Sequence, residues 1–345
     1  MSLGPVTIDD SVIENNSGGS AGGLYLFGEA ADATITNTTF RNNRTTSTAY
    51  GLGGAITTWN GADLTVRGST LDQNTARIGG AIYNESTQTT IAIEANSMIT
   101  GNEATYSKGG GIFNAGGLMG LTDVILAENR CYTFGGGIYN ASGPLTATNI
   151  VFRNNSCLGF FGGYGAGLYN TDGAASLTHA VFSGNRAFEG YGGDSSGGGV
   201  ANATGGSLTL RNSTFADNAA RLGGAIENEG TLTLFNVTIS KNLALFGGGL
   251  FNDGNGSLTH VTFSENDRGL VQGGGTLWLK NVLLSRSTGY NCFVLAGAPS
   301  LTSAGFNLSS DNSCAFNQPG DRVNVDARLG PLADNGGFSR THMLL

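Results

Sequence analysis

A hexapeptide that keeps returning constrains this chain more than any other feature. Gly79-Gly80-Ala81-Ile82-Tyr83-Asn84 recurs as Gly109 to Asn114, Gly135 to Asn140, Gly165 to Asn170, Gly197 to Asn202, Gly223 to Asn228 and Gly247 to Asn252. Weaker copies stand at Gly53 to Thr58 and Ala21 to Leu26. A second motif alternates with it, an apolar anchor three residues before an Asn: Phe40/Asn43, Leu71/Asn74, Ile99/Asn102, Leu126/Asn129, Phe152/Asn155, Phe182/Asn185, Phe215/Asn218, Ile239/Asn242 and Phe263/Asn266. Ile13/Asn16 opens the series and Leu284 closes it without its Asn. The anchors stand between 21 (Phe263 to Leu284) and 33 (Phe182 to Phe215) residues apart. A repeat of this length marks a solenoid, in which each unit buries its apolar face only against its neighbours.

The short segments between turns alternate apolar and β-branched polar residues, as in Leu208-Thr209-Leu210 and Val261-Thr262-Phe263. That period of two places one set inside and the Thr set outside, and no sustained helical pattern competes with it. The expectation is all-β: a right-handed single-stranded parallel β-helix of about eleven coils, each with three short strands. Residues 1–290 form the repeat domain. Residues 291–345, where the period loosens around Pro299, Pro319 and Pro331, form a cap on the same solenoid.

One column tests this. Three residues before each anchor stand Asp10, Asn37, Gly68, Asn96, Asp123, Asn149, His179, Asn212, Asn236, His260 and Asn281. These are the residue types that tolerate a left-handed backbone, so the column predicts a bend at positive φ. It also assigns His179 and His260 to turns rather than to catalysis. Phe152, Phe182 and Phe215 are expected to stack inside the rod, and the motif Asn residues to form an amide ladder, as identical residues do in stacked cross-β strands.

Composition removes several function classes. Glycine is 58 of 345 residues, far above the usual ~7%, yet no Gly-X-Y triplet runs through the chain. Net charge is −8 and no cluster of Lys or Arg stands out, which argues against nucleic acid, since phosphate neutralisation supplies most of that affinity. No run of 18 apolar residues exists to span a bilayer as a helix. The chain enters the repeat at once without an apolar leader, as a mature fragment would.

Cys131 and Cys157 each follow a motif Asn by two residues, one coil apart, and Cys292 and Cys314 are separated by about one short coil. Neighbouring coils lie ~4.8 Å apart, within disulfide reach. The pairs 131–157 and 292–314 are therefore expected, and with them an extracellular or bacterial cell-surface location.

Candidate chemistry is sparse. Between motif Asn and the next Gly-Gly lie nine residues after Asn43 and Asn155 and eleven after Asn185, but four after Asn74, Asn218 and Asn242. Insertions at one point of each coil collect on one edge, often a binding edge. They carry Tyr50, Tyr106, Tyr132, Phe134, Phe160, Phe161, Tyr164, Phe188 and Tyr191. The outward position of the hexapeptide places Tyr83, Phe113, Tyr139 and Tyr169 in consecutive coils. These form either an exposed stripe for sugar rings or a partner protein, or a self-stabilising ladder. With Tyr164 and Tyr191 they are the candidate ligand-binding residues.

A polysaccharide lyase or glycosidase needs clustered carboxylates. The candidates are Glu227 with Glu229, or Glu189 with Asp194, and neither pair recurs in neighbouring coils. No metal site or cofactor is expected; Ca²⁺ enters only with the enzyme alternative. Gly193-Asp194-Ser195-Ser196-Gly197 matches G-x-S-x-G, but in a Gly/Ser-rich loop without the strand-turn-helix setting that a nucleophile needs.

The alternating GGAI and FxxN motifs over residues 11–287 resemble the repeats of polymorphic outer membrane proteins and related bacterial β-helix surface proteins. The tail, Leu329 to Gly337 and then Thr341-His342-Met343-Leu344-Leu345, resembles the close of the choice-of-anchor secreted β-helix proteins. The resemblance implies an exported, surface-associated rod and does not fix an activity. The expected function is a non-catalytic adhesin-like or scaffolding module. It would act as a monomer and bind a host or cell-surface protein or polysaccharide. The alternative is a carbohydrate-active enzyme on the same scaffold.

Overall fold

Parallel pairing dominates the molecule. The structure, a computed structural model, describes residues 2, 4–159, 162–188 and 193–345, and among these no helix occurs. Three parallel sheets build a β-solenoid of about eleven turns, as the repeat predicts, two of them along its length and one over its first seven coils. The first consists of the hexapeptide strands, from Leu24–Phe27 to Cys292–Val294. The second is a row of two-residue strands just after each motif Asn, from Ser17–Gly18 to Arg186–Ala187. The third, the widest, carries the anchors and bends in the middle of every coil.

That bend is the column of Asp, Asn, Gly and His. All eleven residues from Asp10 to Asn281 have φ between 44° (Asp10) and 60° (Asn96), His179 and His260 among them at 53° and 55°. In early coils the bend separates two strands, such as Thr90–Glu94 and Met98–Thr100. In later coils pairing runs through it, giving ten-residue strands such as Ser207–Ala216.

Like stacks on like. Phe152 pairs with Phe182 and Phe182 with Phe215; their rings lie 4.5 Å apart and nearly parallel, with no solvent exposure. The hexapeptide explains how such rings fit. A Cβ on Gly137, Gly167, Gly199 or Gly249 would come within 3.0 Å of Phe152, Phe182, Phe215 or Phe263 respectively. Where the following anchor is the slimmer Leu71, Ile99 or Ile239, the same position holds Ala55, Ala81 or Ala225. Close packing to crystal density accounts for the glycine facing each ring, although Gly111 and Gly269 keep glycine before the slimmer Leu126 and Leu284.

The motif Asn residues form the expected ladder. Asn155 Nδ2 donates to Asn185 Oδ1 at 3.0 Å and to Leu126 O at 2.9 Å, while its backbone N–H donates to the same Oδ1 at 3.0 Å. The pattern repeats from Asn43 to Asn266 with every side chain buried. A second ladder runs Asn84, Asn114, Asn140, Asn170, Asn202, Asn228, Asn252 and Gln272, at 2.7–3.1 Å. It closes the hexapeptide and satisfies buried amides without water.

Both disulfides form as expected, with Cα–Cα distances of 4.6 Å for Cys131–Cys157 and 4.8 Å for Cys292–Cys314. Stacking continues past residue 290: Leu270 pairs with Cys292, Trp278 with Thr302 and Leu308 with Arg322. Only then does the chain change character. Leu329–Ala333 and Thr341–Leu344 form an antiparallel hairpin that folds back along the outside of the wide sheet. Thr214 Oγ1 donates to Arg340 O at 2.8 Å, and the His342 ring reaches Ser240 Oγ at 3.0 Å and Gly330 O at 2.7 Å.

Candidate functional site

The outward aromatic column stacks in register. Ring centroids are 4.9 Å apart for Tyr83–Phe113, 5.1 Å for Phe113–Tyr139 and 5.4 Å for Tyr139–Tyr169, all within 5° of parallel. The rings form a stacked ladder in which Tyr83 and Tyr139 are buried, at 9% and 7% exposed, while Phe113 and Tyr169 are half-buried. Each ring face lies against the next. The residues just before each Gly-Gly roof the column, through parallel bridges linking Lys108, Phe134, Tyr164, Ser196, Leu222 and Phe246. Phe134 packs 4.7 Å from Tyr169 and 5.1 Å from Tyr164, and Lys108 Nζ donates to Tyr139 Oη at 3.0 Å. Burial, followed by the charge of Glu85, pushes the Tyr83 hydroxyl up to about 12, and burial raises Tyr169 as well. Tyr191 lies outside the described residues, as do Phe160 and Phe161.

Beyond Tyr169 the column changes to Ala201, Glu227 and Phe251. Glu227 is buried under the same roof and hydrogen-bonded to Ser196. Desolvation pushes its carboxyl well above the usual carboxylate range, and the negative charges of Glu229 and Asp253 push the same way. Glu229 is exposed and accepts a hydrogen bond from Thr204 at 3.1 Å. A carboxyl whose pKa is pushed up beside an exposed carboxylate is the pattern that separates proton donor from base in many hydrolases. Of the other candidate pair, Glu189 lies outside the described residues, and Asp194 is ion-paired with Arg221. Ser195 is fully buried and its Oγ accepts the Arg221 backbone N–H at 3.0 Å, which makes it a structural residue rather than a nucleophile. Among the described residues no three His, Cys, Asp or Glu side chains gather as a metal site.

The open surface feature is elsewhere. A groove of about 640 Å³ crosses four coils on the loop edge, lined by Arg186, Phe188, Arg221, Leu243, Leu245, Asp267 and Arg268 over a floor of Ala187, Ala219, Ala220 and Ala244. Its cause is the step in loop length. The coil with eleven residues between Asn185 and Gly197 stands beside coils with four, four and two, the last between Asn266 and Gly269. Arg186 and Phe188, at the start of the long loop, line one side, and the short loops form the trough. Sequence reasoning marked the loop edge and Phe188 but not the arginines, which form no cluster along the chain and meet only in the fold. Arg186, Arg221 and Arg268 are 35 and 47 residues apart along the chain (221 − 186 and 268 − 221), and only the stacking of coils of unequal length brings them to one trough. The change from eleven to four residues was the available signal.

No family model matches this sequence, and no curated protein matches it. Among solved structures, the chain is similar to the catalytic domain of a GH87 α-1,3-glucanase in complex with tetrasaccharides, at 13% identity and a TM-score of 0.45 over 88% of this chain. It spans 63% of that domain's length. It is also matched to a TibC-hyper-glycosylated fragment of TibA, at 16% identity and a TM-score of 0.18, covering 92% of this chain and 99% of that one.

Proposed function

We propose that this chain is a non-catalytic binding rod that works outside the cell, holding a surface polysaccharide in the loop-edge groove. The observation that carries this is the groove itself, an open trough across four coils rimmed by Arg186, Arg268, Phe188, Leu243 and Leu245. Ligand sites of this kind combine apolar lining with a few placed polar groups. The two disulfides suit an oxidising compartment, and the repeats and tail resemble exported surface β-helix proteins. Binding of the whole chain to a glycan array tests it. The expected result is retention of one class of polysaccharide with no shortening of the polymer.

A second reading is favoured by one specific observation, the buried Glu227, whose carboxyl is pushed well above the usual carboxylate range by desolvation and the charges of Glu229 and Asp253. On that reading the chain cleaves a glycan, with Glu227 as proton donor and Glu229 as the second carboxylate of the pair. A reducing-end assay on array-positive glycans, with and without Ca²⁺, separates the two. Release of new ends that Glu227→Gln abolishes would replace the first reading with the second.

A further inference from the structure

The groove's charge points to the chemical class of its ligand, an inference that rests on the binding reading above. Three guanidinium groups, of Arg186, Arg221 and Arg268, face one lining carboxylate, Asp267, in a chain whose net charge is −8. They are held in place. The Arg186 guanidinium sits 5.9 Å from the centre of the Phe188 ring, Arg268 Nη1 donates to Leu245 O at 2.5 Å, and Arg221 pairs with the exposed Asp194. Arg186 and Arg268 are three coils apart, roughly 14 Å along the rod at ~4.8 Å per coil. Between them lie exposed Leu243 and Leu245 and the alanine floor.

Guanidinium forks match carboxylates in a planar, paired geometry. A linear polymer of uronic acid sugars offers a carboxylate on each ring and apolar C–H faces between them, which is the alternation found here. Nucleic acid would need a broad positive field, whereas the field of this molecule as a whole repels polyanions. Recognition must therefore be local. We propose that the groove binds an acidic polysaccharide, with its carboxylates on Arg186 and Arg268 and its ring faces over Leu243 and Leu245. Asp194 competes for Arg221, which leaves that residue a lesser contact.

The test is calorimetry of the whole chain with alginate, with neutral dextran and with duplex DNA, at low and physiological salt. Alginate is expected to bind and the other two not. The double variant Arg186→Gln/Arg268→Gln should lose about tenfold or more in affinity, which is the scale of one charge-assisted contact. Its thermal midpoint should not move. Arg67→Gln/Arg153→Gln removes the same charge elsewhere and should bind alginate as the parent does. Equal affinity for dextran or DNA, or a groove variant that binds alginate undiminished, would overturn the proposal. Retention of neutral glycans alone on the array would overturn it while leaving the binding rod standing. Retention of no glycan at all would overturn both.

Discussion

Two ring columns run along this molecule, one inside the rod and one outside, and they are built differently. The inner column at Phe152, Phe182 and Phe215 is uniform, wholly buried and matched coil by coil to a glycine opposite. The outer column begins as uniformly, from Tyr83 to Tyr169, then breaks at Ala201 and continues through a carboxylic acid at Glu227. Both lie in register on parallel strands, so register alone does not separate them. The difference is what each position must satisfy. An inner residue meets only its neighbours above and below and a fixed gap, so the column stays apolar throughout, built of Phe, Leu and Ile alone. An outer residue meets loops that differ in every coil, and the column changes with its roof.

The sharpest way to break that contrast is in the amide ladder beneath the inner rings. Asn185→Ala leaves two buried donors of Asn155 and the carbonyl of Phe152 without partners. At about 1–3 kcal/mol for each orphaned group, the loss should reach roughly 4–6 kcal/mol in urea unfolding. Phe182→Ala should follow at about 3–5 kcal/mol, read by the same experiment, with no effect on glycan retention. Replacing Cys131 and Cys157 by Ser opens a 26-residue loop and should cost about 2–4 kcal/mol, seen as a lower thermal midpoint that the reduced parent, having lost both bridges, should undercut. If Phe113→Ala in the outer column proved as damaging as Phe182→Ala, the contrast between the columns would fail.

The smallest effect at neutral pH belongs to Glu227. Because its folded-state pKa is raised, the folded chain binds a proton that the unfolded chain releases. The stability this group confers is full below the ordinary Glu value and is lost as pH rises through the raised one. Glu227→Gln keeps a hydrogen-bonding group opposite Ser196 and cannot ionise. Its melting curve should match the parent in acid and exceed it as pH rises, and a parent midpoint that did not fall toward alkaline pH would show that the carboxyl is not held neutral.

The backbone was legible from sequence because solenoid geometry repeats its demands. Only Gly, Asn, Asp and His occupy the bend column, and all of those residues have positive φ. A second left-handed column precedes each motif Asn and was not legible: it holds Gln73, Glu128, Lys241 and Glu265 beside its Asn, Asp and Gly members, at φ of 53° for Gln73, 57° for Glu128 and Glu265 and 59° for Lys241. Those side chains do not favour that conformation, so composition could not reveal it. The hydrogen bonds of the buried Asn that follows impose it. The groove was partly hidden for a related reason. Loop length showed which edge would vary, but which charges meet across coils depends on the stacking offset. The burial of Tyr83 and Tyr139 was hidden because their cover comes from the loop segment just before each Gly-Gly, and nothing in the alternation of the strand reports a third layer.

The terminal hairpin has a mechanical consequence. An open stack of coils frays from its ends, since an end coil has a neighbour on one side only. Here Arg340 and His342 clasp Thr214 and Ser240, residues 126 and 102 positions back along the chain. The final turns therefore sit inside a loop closed by non-covalent contacts, and peeling them away under tension requires the clasp to slip first. A rod tethered at that end would yield in one abrupt step rather than coil by coil.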